Sequence, residues 1–148
     1  LDGLQDPSNV GAILRAAEAF GAGGVVLTPG TASPYAPKAF RASAGSALRV
    51  AVVKNVLSTD AVAWSREIGA TLAGADAHDG EDPDALRGVS PVVLAVGSEG
   101  HGLSAPVVSA LDRRVRIPVS PRVESLNAAV AAGILLYALS PKTSARKR

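Results

Sequence analysis

The chain has 148 residues, 47% of them hydrophobic, a formal net charge of +2 and no cysteine. That length suits one domain with a sizeable core, and the lack of cysteine excludes a disulfide framework, a thiolate nucleophile and a thiolate metal site; with only His78 and His101 as histidines, no metal is expected. The longest uncharged apolar run, residues 128–139, falls well short of the roughly 20 residues that span a bilayer, and no signal-peptide pattern opens the chain, so a soluble cytoplasmic protein without a membrane partner is expected.

In chain order, short β-rich runs alternate with helical patterns. Leu1 is not a natural start, and the first residues read as the end of a strand, so a fragment or trimmed start is expected. Residues 8–20 carry Val10, Ile13, Leu14, Ala17 and Phe20 at helical spacing, with Pro7 near the start and Gly21 just past the end. Strands are predicted over 24–28, 49–53, 70–74, 92–96 and 114–117, and shorter helices over 37–44, 59–69, 83–86 and 104–111. Residues 28–37, rich in Pro, Ser and Gly, read as a surface loop. The run 92–96 is continuously apolar, as expected of a strand covered on both faces of a parallel sheet, and the alternation predicts an α/β architecture in one domain, 1–148. The last helix, 128–139, is apolar all round and should be buried on more than one side, against the sheet and a second subunit.

Three strand-to-helix junctions crowd polar groups beside apolar walls. The first is Asp6-Pro7-Ser8-Asn9-Val10-Gly11 leading to Arg15, and the second Gly97-Ser98-Glu99-Gly100-His101-Gly102 after the apolar run. In the third, Ile117-Pro118 to Ser125-Leu126-Asn127 runs into the last helix. Taken singly, each has a plain reading. Ser8 and Asn9 suit a helix cap, as does Ser125; Arg15 lies opposite the apolar stripe of its helix, where a solvated arginine paired with Glu18 is ordinary; Glu99 suits an exposed turn. The glycine order G-x-x-G-x-G is a poor match to a dinucleotide fingerprint. Basic residues cluster at Arg113, Arg114, Arg116 and Arg122, and again in a tail at Lys142, Arg146, Lys147 and Arg148; such clusters fit a phosphate backbone as partner.

In this order the three segments resemble the motifs of the SpoU family of RNA ribose 2′-O-methyltransferases, within the SPOUT class. The similarity covers essentially the whole chain, including Pro37-Lys38-Ala39-Phe40-Arg41-Ala42-Ser43-Ala44-Gly45-Ser46, which looks more like the ribosomal-RNA members than the transfer-RNA members. The resemblance implies a parallel sheet flanked by helices on both faces, a C-terminal deep trefoil knot, S-adenosyl-L-methionine as cofactor, RNA as substrate, and a homodimer in which the first motif of one subunit completes the pocket of the other. Carried over residue by residue, Gly97, Ile117 and Leu126 would meet the cofactor through backbone groups, with Val96 on the same floor and Gly100 in the same glycine turn. Asn9, Arg15, Glu99, Ser125 and Asn127 would form the catalytic constellation, Glu99 holding Arg15 or another donor. Lys38, Arg41, Arg113, Arg114, Arg116 and Arg122 are the expected phosphate contacts. Many relatives carry an N-terminal RNA-recognition domain beyond this stretch. The competing readings are a non-catalytic RNA-binding or cofactor-binding module, a transfer-RNA enzyme and, disfavoured by glycine order, a nicotinamide oxidoreductase.

Overall fold

A computed structural model describes residues 1–140; the basic tail with Lys142, Arg146, Lys147 and Arg148 lies outside the described residues. The Asp6 carboxylate starts the first helix by accepting the Ser8 N–H at 2.9 Å, and Pro7 presets φ in the first turn, where its missing N–H costs nothing. Helix α1 therefore runs Pro7–Ala19, and its cap is Asp6 rather than Ser8 or Asn9. Its buried stripe contains Val10, Ile13, Leu14 and Ala17; burying a Val or Leu side chain fully contributes about 1.5–3 kcal/mol. Gly11 faces helix α2, Pro37–Ser43, so closely that a Cβ there would stand 2.1 Å from the Ala39 carbonyl oxygen. Glycine at this position lets the two helices touch.

Strands β1 (Val25–Leu27) and β2 (Val52–Lys54) pair in parallel. A second parallel group has the order β4-β3-β5, from Thr71–Ala75 (β3), Val92–Ala95 (β4) and Arg113–Val115 (β5). Residues 1–4 join the groups into one layer. On one side the Leu1 nitrogen donates to the Val26 carbonyl at 2.6 Å and the Thr28 N–H to Leu1 at 3.0 Å. On the other, the Asp2 N–H donates to the Val96 carbonyl at 2.9 Å, with Asp2 and Gly97 in a parallel bridge. The five predicted strands are all present; the fifth begins one residue early and ends at Val115, freeing Ile117 for the loop beyond.

Side-chain alternation along β4 shows why the run 92–96 is apolar throughout. Val93 and Ala95 pack with Val62, Leu72 and Val107, under helices α3 (Ser58–Glu67) and α4 (Ala105–Ala110). Val92 and Leu94 pack on the opposite face with Leu86, Val115 and Leu135. Leu135 belongs to helix α5, Ala128–Leu139, which lies against α1. Helices thus cover both faces, as the α/β reading expects. Residues 83–86 form a 3-10 turn instead of an α-helix. Helix α5 buries Ala128, Ala132 and Leu135, but Val130, Ile134 and Tyr137 remain 51%, 40% and 68% exposed. Within one chain the helix is therefore buried on one side only. No helix among the described residues is long and apolar enough to cross a membrane.

Candidate active site

The carboxyl ends of β3, β4 and β5 open on one cavity of about 450 Å³, the place where parallel α/β sheets bind ligands. After β4 comes the glycine turn. The Ser98 N–H donates to the Gly102 carbonyl at 3.1 Å and the Gly102 N–H returns to Ser98 at 2.9 Å. At Gly97 a Cβ would lie 2.2 Å from the Gly102 carbonyl carbon, so only glycine lets the turn close on itself, whereas Gly102 needs its positive φ of 66°. Gly100 has open space where a Cβ would stand. Val96, Gly97, Gly100, Ile117 and Leu126 all line the cavity, as do Glu99 and Ser125.

Three polar side chains tie the junctions together. Asn9, 6% exposed, donates from Nδ2 to Glu99 Oε1, and Asn127 Nδ2 donates to Asn9 Oδ1 at 3.0 Å. Asn127 Oδ1 accepts the Ala129 and Val130 N–H groups at 3.0 and 3.2 Å. Because the helix N–H groups claim the Asn127 oxygen, its NH2 must face Asn9, and the Asn9 NH2 must then face a carboxylate. Every amide orientation is fixed from the α5 backbone to Glu99.

Two expectations change. The cap of α5 is Asn127; Ser125 is exposed and lines the cavity instead. Of the partners expected for Glu99, Arg15 or another donor, it takes another donor, Asn9; Arg15 is exposed on a different side of α1, six residues beyond Asn9. Nor does Glu18 pair with Arg15: it accepts from Ser46 Oγ at 2.6 Å and from Arg49 Nε at 2.5 Å. Glu99 and Ser125 thus line the cavity, Asn9 and Asn127 are joined to Glu99 by hydrogen bonds, and Arg15 is exposed and does not line it.

The basic residues divide. Lys38 pairs with Asp6 at 3.2 Å and Arg113 with Glu81 at 3.0 Å, both exposed pairs that exchange readily for another anion. Arg116 Nη1 reaches the His78 carbonyl at 3.5 Å, while Arg41 and Arg122 are exposed. Arg114 lies in the cavity lining with Asp76, its Nη1 donating to Asp76 Oδ2 at 2.9 Å. Asp76 also accepts the His78 and Asp79 N–H groups at 2.8 and 3.1 Å. Burial alone would raise its pKa; these N–H groups and Arg114 prevail and lower it. Sequence reasoning missed Asp76 as a site residue. Its signal was an acid directly after a parallel strand.

The sequence matches the SpoU rRNA Methylase family over residues 1–137, and the chain belongs to that family. It is 40% identical over 140 residues to an uncharacterized tRNA/rRNA methyltransferase of Mycobacterium bovis, spanning 95% of this chain and 44% of that protein. A putative RNA methyltransferase of the TrmH family from Porphyromonas gingivalis superposes with a TM-score of 0.83 at 38% identity, covering 94% of this chain and 57% of that one. The SpoU methyltransferase AviRb from Streptomyces viridochromogenes, solved in complex with the cofactor AdoMet, gives 0.81 at 35% identity over 93% and 54% of the two chains. The chain therefore spans less than half the length of the M. bovis relative and little more than half of these solved chains.

Proposed function

We propose that residues 1–148 are a single catalytic domain that transfers a methyl group from S-adenosylmethionine to a ribose 2′-OH of RNA in the cytoplasm, ribosomal RNA being favoured over transfer RNA. The observation that carries this reading is the Asn127–Asn9–Glu99 chain, which joins all three motifs beside the cavity.

The cavity suits the proposed methyl donor. Its volume lies in the range of about 300–1,000 Å³ typical of small-molecule sites. Its walls offer apolar Val96, Ile117 and Leu126 beside the Glu99 carboxylate and the Asp76–Arg114 pair, a fit to a polar ligand that carries a flat ring and both cationic and anionic groups. When bound, S-adenosylmethionine supplies an electrophilic methyl group on a sulfonium for in-line transfer. Val96, Gly97, Ile117 and Leu126 would hold it, and Gly100 leaves room beside the turn. Asn9 and Asn127 keep Glu99 in one orientation, and Ser125 faces the same space. Arg15 cannot serve as a base, since a guanidinium stays protonated; its role is to stabilise the developing ribose alkoxide and grip the adjacent phosphate. Arg15 is exposed and does not line its own chain's cavity; it acts in the cavity of a second subunit. The exposed Val130, Ile134 and Tyr137 provide the apolar face for that homodimer. Lys38, Arg41, Arg113, Arg116 and Arg122 would contact RNA phosphates. The deep trefoil knot fits the path after β5, which lies beyond β3 at the sheet edge before the chain returns with Ser125 and Leu126 to the turn after β4.

Calorimetric titration with S-adenosylmethionine and with NAD, with the mass read in the same sample, tests the reading. Stoichiometric binding of the first alone by a dimer is expected; a folded dimer that binds neither would make the domain a non-catalytic RNA-binding module. With an RNA target in hand, Arg15→Ala should lower turnover about 100-fold with folding unchanged. If Arg15→Ala and Arg15→Lys both kept near wild-type turnover, the arginine assignment would fail.

A further inference from the structure

Asp2 lies outside the three motifs, yet its position behind the glycine turn is unusual. It is 7% exposed, and its carboxylate accepts three hydrogen bonds from three separate segments. These come from Thr28 Oγ1 at 2.9 Å, just past β1, from Ser58 Oγ at 3.0 Å, at the start of α3, and from the Ser104 backbone N–H at 2.7 Å, at the cap of α4. Meanwhile the Asp2 N–H donates to the Val96 carbonyl at 2.9 Å. Val96 directly precedes the glycine turn and Ser104 directly follows the segment that leaves it. One residue therefore grips both ends of residues 97–103 without itself lining the cavity.

We infer that Asp2 is a positioning residue for this turn: its backbone N–H fixes the entrance at Val96 and its carboxylate fixes the exit at Ser104, setting where the backbone of residues 97–102 meets a ligand. The inference rests on the proposed reading of the cavity as the S-adenosylmethionine site. The turn itself is held internally by the reciprocal Ser98 and Gly102 bonds, which fix its tip but not its placement relative to β4. A buried carboxylate is a strong acceptor, so the Ser104 N–H···Asp2 bond is the firmest tie of the exit. The Thr28 and Ser58 bonds, both to Oδ1, aim the carboxylate so that Oδ2 faces the Ser104 N–H.

The three donors allow a test in which simple loss of stability and loss of positioning separate. At Ser104 φ is −65°, an angle proline adopts, so Ser104→Pro removes the N–H donor and sets its ring Cδ against the Asp2 carboxylate, breaking this tie outright. Ser58→Ala removes an equivalent bond to the same carboxylate, but at α3. Binding of S-adenosylmethionine and S-adenosylhomocysteine is measured well below each variant's thermal midpoint, beside amide hydrogen exchange of the ligand-free protein. Ser104→Pro and Asp2→Asn should each weaken both ligands about tenfold, while Ser58→Ala shifts binding less than about twofold even if its midpoint falls as far. In the ligand-free protein, exchange at the Ser104 amide, whose N–H is bonded to Asp2, should quicken in Asp2→Asn and not in Ser58→Ala. Equal effects of Ser58→Ala and Ser104→Pro on binding, or of Ser58→Ala and Asp2→Asn on exchange, would overturn the positioning role, as would no effect of either Ser104→Pro or Asp2→Asn. If the wild-type protein bound neither ligand, the cofactor reading would fall while the exchange data still judged Asp2.

Discussion

Four carboxylates among the described residues sit below their usual pKa: Asp6, through the Ser8 N–H and Lys38, and Asp2, Asp76 and Glu18, which differ in burial. Asp2 pays a desolvation penalty that raises its pKa, but the hydrogen bonds from Ser104, Thr28 and Ser58 outweigh it. Asp76 is lowered against the same opposition by the His78 and Asp79 N–H groups and by Arg114. Glu18, on the surface, is brought from 4.5 to about 2 by hydrogen bonds from Arg49 and Ser46. In all four the unfolded chain takes up protons at higher pH than the folded one, so their stabilisation is complete above the ordinary values of 3.8 and 4.5 and is lost as pH falls through the folded values. Thermal midpoints should therefore drop most steeply between pH 4.5 and about 2. High salt should shrink the Glu18 share, because that pair is open to solvent, and leave the buried Asp2 share in place. Comparing Asp2→Asn with Glu18→Gln over this pH range checks the assignment: the former should flatten the acid limb more at high salt. Neither Asp2 nor Asp76 stands out in the sequence as an acid with three donors, since those donors come from residues up to 102 positions away.

At the level of elements, Asn127 serves two: it caps α5 through Oδ1 and holds Asn9 through Nδ2. Asn127→Ala loses both and should cost about 1 kcal/mol for the cap, with activity falling as well. Asn127→Ser keeps a capping oxygen but is too short to reach Asn9. Its thermal midpoint should stay near wild type while methyl transfer falls as far as in Asn127→Ala. Parallel midpoints and activities across the two variants would show that the cap alone matters. The range of this helix matches the sequence reading but its cap does not, because Ser125 and Asn127 are both good caps. Burial of Ala128 and Ala132 against α1 selects between them, and that contact joins residues more than 100 positions apart. Likewise the helical period located α1, whereas the freedom of Asn9 to leave the cap and reach Glu99 followed from Asp6 taking the capping role.

For the whole molecule, the exposed apolar face of α5 is the feature one chain leaves unresolved. Tyr137 packs edge-on against Phe20 at a centroid distance of 5.6 Å, so the face extends onto the end of α1, the helix that carries Arg15. An apolar stripe of this kind is what the proposed homodimer would bury. Ile134→Glu should halve the solution mass, measured by light scattering, with the far-ultraviolet circular dichroism unchanged. A wild-type protein already monomeric at micromolar concentration would remove the dimer, and with it the action of Arg15 in a neighbour's cavity.

The sequence by itself determined the α/β alternation, the five strands, the three motif segments and the residue types they contribute, because periodicity, proline and glycine placement and motif order are local properties. Only the tertiary structure decided that residues 1–4 complete the sheet and that Asp2 grips the glycine turn. It also decided that Asp76 and Arg114 line the cavity and that Arg15 does not. Those outcomes depend on which distant backbone groups and side chains meet once the strands pair in parallel, and a parallel sheet brings together residues that no local pattern connects.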